Sequence, residues 1–221
     1  MDPLLAFAAA LLALRLAGDL AGRYRSRRAP QLAAWAASLF AYAVASAALA
    51  WGAAYGWDDV SFRVYYLFGG LLTAALLGAG SLLLAGQRWV VPVALVYVGV
   101  AVGIAIAEPL TSPVGGEAIP EAQEHLDFLP MRLAAVLGNS LGTIAVVAVA
   151  LLTLRRRPLA NGLIVLGVLA AAGTGLSGLG VAETSAFIAA GALLLYAGFR
   201  AASAPSLTGS DPVTKLAQKT H

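Results

Sequence analysis

The stretch that decides the fold is residues 159–199, LANGLIVLGVLAAAGTGLSGLGVAETSAFIAAGALLLYAGF, in which Glu183 is the only charged side chain. Read as one α-helix it would reach about 60 Å, roughly twice the hydrocarbon thickness of a bilayer. It must fold back. Glycine recurs from Gly173 to Gly180 and Glu183 follows, so the break belongs there. The reading is two membrane-spanning helices, 159–177 and 182–199.

The same ruler applies upstream. A spanning helix needs about 20 apolar residues. Residues 131–154 supply one, closed by Arg155, Arg156 and Arg157. Residues 3–21, 30–54, 62–85 and 89–107 supply four more. Pro30 suits the first position of its helix, where its missing N–H costs nothing. No basic residue precedes the first apolar run, only Asp2, so it reads as a membrane helix and not as a secretory signal. The expected fold is all-α: a polytopic seven-transmembrane-helix bundle over residues 1–200, an outer loop at 108–130, and a polar, flexible cytoplasmic tail at 201–221.

Composition agrees. Sixty per cent of the residues are apolar and 11% are charged, against about a quarter charged in a typical soluble domain. A soluble chain of this kind would expose large apolar patches and aggregate.

Charge placement sets the expected orientation. With loops assigned alternately from an outside N-terminus, the inner regions collect Arg23, Arg25, Arg27, Arg28, Arg88, Arg155, Arg156, Arg157, Arg200, Lys215 and Lys219. The outer regions collect only Arg63 and Arg132. That bias obeys the positive-inside rule. Nine of the carboxylates, Asp2, Asp58, Asp59, Glu108, Glu117, Glu121, Glu124, Asp127 and Glu183, fall outside. Trp51, Tyr55 and Trp57 mark the outer interface, and Tyr24, Trp35 and Trp89 the inner one. The expected location is a cell membrane, multi-pass, of the prokaryotic inner-membrane kind.

A few polar residues stand out because a bilayer makes them costly. Arg15 and Asp19 are four apart and share a helix face, which predicts an intramembrane ion pair with the arginine reaching toward the headgroups. Ser38, Tyr42 and Ser46 form a stripe on the second helix. Asn139, Ser140 and Thr143 lie beside Gly138 and Gly142 on the fifth, and Gly70, Ala74 and Gly78 repeat on the third. Such residues let helices approach and bridge. The functional alternative is that Tyr42, Tyr97 and Asn139 line a polar pocket near the midplane. A second candidate site is Arg63 and Arg132 with Tyr65 and Tyr66 at the outer rim, because an arginine fork suits phosphate or carboxylate. The bland alternative pairs those arginines with nearby carboxylates. Glu121 and His125 can share a face of a short surface helix after Pro120, with Leu126, Phe128 and Leu129 dipping into the interface.

Several classes drop out. No clustered basic face beyond the helix-flanking loops suggests nucleic acid. Cysteine is absent, which removes thiolate catalysis and Cys-based metal centres. No HExxH or P-loop pattern occurs. The last helix has no lysine for a retinal Schiff base, and no expected helix holds a histidine for haem. No cofactor, metal or catalytic residue is implied, so an intramembrane enzyme ranks last.

The layout resembles seven-helix receptor-like bundles and the membrane input modules of bacterial sensor proteins. That resemblance implies a receptor-like or accessory subunit that binds a lipid or small apolar ligand and signals through a cytoplasmic protein partner or a second copy of itself. The Pro30-Gln31 pair is similar to the PQ-loop sugar transporters, whose second copy is missing here. A small-molecule transporter with a midplane polar pocket is the alternative.

Overall fold

The computed structural model describes residues 2–116, 118–153, 158–173 and 181–203. Among them there is no strand. Five stretches are helical, long and apolar enough to cross a membrane: Pro3–Arg27, Pro30–Tyr55, Asp59–Leu84, Val90–Ala107 and Phe128–Thr153. We label the helices α1 (Asp2–Arg27), α2 (Pro30–Tyr55), α3 (Asp59–Leu84), α4 (Val90–Ala107), α5 (Leu133–Thr153), α6 (Pro158–Gly173) and α7 (Val181–Ser203). The apolar parts of α6 and α7 are shorter, Pro158–Ala170 and Ala186–Gly198. The chain is a multi-pass membrane protein.

Helix ends follow local chemistry. α1 does not stop at residue 21. It continues through Arg23, Arg25 and Arg27, and ends where Arg28 turns to positive φ. Arginine is a good helix former, and cations near a helix C-terminus complement its dipole. α3 starts three residues earlier than 62, because Asp58 and Ser61 form a reciprocal capping box. The Asp58 carboxylate accepts from the Ser61 backbone N–H at 2.7 Å. α4 begins after the turn at Gly86, which takes φ 88°.

Helix α2 is the centre of the bundle. Two-thirds of its apolar window, 67%, is buried inside the protein, against 17% for α4 at the periphery. Its alanine-rich surface lets α1, α3 and α7 approach it. Glycine permits the other close approaches. A Cβ on Gly78 of α3 would meet the Gly142 backbone of α5, and one on Gly142 would meet the Ala74 carbonyl. Helices α6 and α7 run antiparallel, since Gly167 abuts Leu195 while Gly198 abuts Ala160 and Ile164. The chain therefore reverses between them, although residues 174–180, where the sequence places the break, lie outside the described residues. So does the tail beyond residue 203.

The acidic loop is folded rather than loose. The Trp57 N–H donates to the Gly116 carbonyl at 2.8 Å, and the Val114 N–H donates to Asp59 at 3.2 Å. A helical turn, Ala122–His125, follows Pro120. Leu126 beyond it is buried in the core and not offered to an interface, whereas Phe128 and Leu129 are exposed.

Candidate functional site: a mid-bundle cavity beside a π-helix

In the middle of α3, residues Tyr66–Thr73 leave the α-helical pattern and form a π-helix. Its i→i+5 bonding is rare and favours functional positions. The widened turns offer backbone carbonyls to other donors, and neighbouring helices supply them. Ser38 Oγ of α2 donates to the Thr73 carbonyl at 2.7 Å. Asn139 Nδ2 of α5 donates to the Gly70 carbonyl at 2.8 Å. Tyr97 of α4 places its hydroxyl 3.0 Å from the Leu71 carbonyl and 3.1 Å from that of Ala134, with one proton for the two. Thr73 Oγ1 donates back to Phe68 at 2.7 Å. With no water in a bilayer core, such groups must be satisfied by protein.

Against this segment lies a cavity of about 440 Å³, within the usual range for small-molecule sites. Its polar lining comes from Ser38, Tyr42, Tyr65, Tyr66, Thr73, Asn139 and Thr143, and its apolar lining includes Leu77, Val146, Val168 and Ile188. Among the described residues, no charged side chain lines it. Tyr42 is anchored by donating to the Ile188 carbonyl of α7 at 3.1 Å. The hydroxyls of Tyr65, Tyr66 and Thr143 make no hydrogen bond among the described residues.

The structure thus brings together residues that the sequence assigned to two different sites. Tyr42 and Asn139, from the midplane set, and Tyr65 and Tyr66, from the outer-rim set, share one cavity. Tyr97 does not line it; it holds the π-helix from behind. Arg63 and Arg132 do not line the cavity, although Arg132 acts electrostatically on Tyr66, and neither closes onto a carboxylate among the described residues. Arg63 donates to the Ala105 carbonyl at 2.9 Å, in the last turn of α4, where a helix leaves carbonyls unpaired and favours a cation. The Arg132 guanidinium lies over the Phe128 ring at 5.6 Å. Arg15 and Asp19 are not joined. Asp19 instead accepts from the Tyr196 hydroxyl at 3.0 Å, and Arg15 is exposed. An arginine on the lipid-facing side of a span can reach toward the headgroups with its long side chain instead of pairing.

Two features were missed by reading the sequence. Nothing in the sequence marked Thr73, because the π-helix that employs it has no strong local signature. Conversely, Gly138-Asn139-Ser140-Leu141-Gly142 matches the G-x-S-x-G spacing of hydrolase nucleophile elbows. That chemistry needs a sharp strand-to-helix turn, whereas these residues lie within continuous α5 and Ser140 faces outward. The serine is no nucleophile. His125 contacts Ser112 through Nδ1 at 2.9 Å, and no cluster of metal-binding side chains occurs among the described residues.

No protein-family model, curated protein or solved structure matches this chain.

Proposed function

We propose that the protein is a seven-helix membrane bundle, N-terminus outside and C-terminus cytoplasmic, that holds a small neutral ligand in the cavity beside the π-helix as a receptor-like or accessory subunit. One observation carries this reading: an uncharged cavity at mid-depth in which three hydroxyls make no hydrogen bond among the described residues. Apolar walls with a few convergent polar groups are the usual form of a ligand site. The absence of charge favours an uncharged molecule, since an ion would enter without compensation. The hydroxyls favour one that carries hydrogen-bond acceptors on an apolar body. A cytoplasmic protein partner or a second copy would carry the signal.

The test is mass spectrometry of organic extracts from protein purified in native lipid. Wild type is expected to carry a neutral, lipid-soluble molecule. Thr143→Phe, which fills the cavity, should abolish retention, and Tyr66→Phe, which keeps the shape, should weaken it. Equal retention in all three proteins rejects the reading.

A transporter is the second reading, favoured by the interruption of α3 near its midpoint, because transporters build midplane sites from discontinuous helices. The cysteine-free sequence makes Ser38→Cys and Tyr65→Cys clean reporters. A transporter exposes both to impermeant thiol reagents, from opposite faces. A closed ligand cavity protects both.

A further inference from the structure

A second site lies at the basic end of the bundle, independent of the cavity. The last turns of α1 and α7 enclose a groove of about 510 Å³, lined by Asp19, Gly22, Arg23, Ser26, Tyr196 and Arg200 among others. Its carboxylate is already engaged, because Asp19 accepts from Tyr196 at 3.0 Å. Arg200 lies beside that tyrosine, with Nη1 3.4 Å from the hydroxyl and the guanidinium 5.6 Å from the ring centroid. Arg23 differs: its Nη1 is buried and has no hydrogen-bond partner among the described residues. A buried cationic donor left unpaired is costly. Two guanidinium groups against one occupied carboxylate leave the groove net positive.

The approach to the groove is apolar. Phe7, Leu11, Leu14, Gly18 and Gly22 recur at helical spacing on one face of α1, and all are exposed, with exposed Arg15 at the edge of that face. An added Cβ on Gly18 or Gly22 would meet nothing within 4 Å, so the surface there is open. The track runs along α1 from Arg23 toward the bilayer interior.

We propose that this groove binds an anionic phospholipid. Arg23 and Arg200 hold its phosphate, and one acyl chain lies along the Phe7–Leu11–Leu14 face. Guanidinium forks match phosphate geometry with paired, charge-assisted hydrogen bonds. The groove's neighbours Arg25, Arg27 and Arg28 add long-range attraction for an anionic surface.

The experiment is native mass spectrometry of detergent-purified protein titrated with phosphatidylglycerol, phosphatidylcholine or inorganic phosphate. Wild type should retain phosphatidylglycerol in preference to phosphatidylcholine. The Arg23→Gln, Arg200→Gln double variant should lose roughly tenfold in retention through the lost bidentate contacts, while the control Arg88→Gln, elsewhere on the basic end, retains it. Equal loss in the control, or no loss in the double variant, overturns the proposal. If inorganic phosphate stabilises wild type as well as phosphatidylglycerol does, and not the double variant, the site takes a free anion and the lipid assignment falls. Should the double variant fail to fold, Asp19→Asn gives the converse reading. It removes the one negative charge among the groove's described residues and should raise phosphatidylglycerol retention; unchanged or reduced retention counts against the site.

Discussion

The amide of Asn139 donates to the Gly70 carbonyl across the α3–α5 interface, and few substitutions probe the π-helix so directly. Asn139→Leu keeps volume and removes the donor. Hydrogen bonds between membrane helices average about 0.6 kcal/mol and reach about 1.7 kcal/mol. The loss should fall toward the upper end, because a π-helix carbonyl is left without its partner. Unfolding in mixed micelles measures it; a change near zero would show that the carbonyl finds another donor. Glycines give a sharper contrast. A methyl group at Gly142 would press on the backbone of Ala74 and Ala75, which cannot move aside as a side chain can. Gly142→Ala should cost about 1–3 kcal/mol through overpacking. Gly99 on α4 has nothing within 4 Å of an added Cβ, so Gly99→Ala should be neutral or slightly stabilising. Similar losses at the two sites would contradict the packing described.

Among the elements, the π-helix of α3 carries the most consequence. Each i→i+5 loop uses one residue more than its α-helical counterpart, so a segment one residue shorter can close as α-helix with its flanks still in phase. Deleting Gly69 should therefore leave a bundle that inserts and folds, while withdrawing the carbonyls that Ser38, Asn139 and Tyr97 engage. Ligand retention should vanish although yield and helical content stay close to wild type. Retention at the wild-type level would separate the cavity from the π-helix. At the start of the same helix, the Ser61 backbone N–H holds the exposed Asp58 carboxyl below its usual range. A group lowered on folding stabilises above its unfolded pKa and loses that contribution as pH falls through its folded value. The first turn of α3 should fray in acid. Asp58→Asn, which caps without titrating, should remove that pH dependence of amide exchange at Ser61.

For the whole molecule, the placement of charge predicts the orientation. Glu121→Cys, on the acidic loop, should react with an impermeant thiol reagent in intact cells, and Gln87→Cys, in the turn before α4, only after the membrane is opened. The reverse pattern would invert the bundle. The antiparallel pair α6 and α7 bears on the same question. Even-numbered topology would put Arg200 and the acidic loop on one side, whereas the contact of Asp19 with Tyr196 brings the C-terminal halves of α1 and α7 together at the Arg23 end.

Lengths of apolar sequence were enough to find five helices long and apolar enough to cross a membrane, because a bilayer imposes that constraint locally, one segment at a time. Helix ends were legible only where side chains bias them: Pro30 marked the start of α2, while the capping pair Asp58 and Ser61 moved the start of α3 away from where hydropathy alone put it. The candidate polar residues were also visible, since each hydroxyl or amide in an apolar helix is conspicuous. Their grouping was not. Tyr65 and Tyr66 were read with Arg63 and Arg132 because all four were placed at the outer rim, yet the two tyrosines share a cavity with Tyr42 and Asn139. Asp19 was read with Arg15 four residues away, yet its partner Tyr196 is 177 residues distant. Residues that distant meet only when the bundle closes, and the order in which helices pack around α2 decides which of them do.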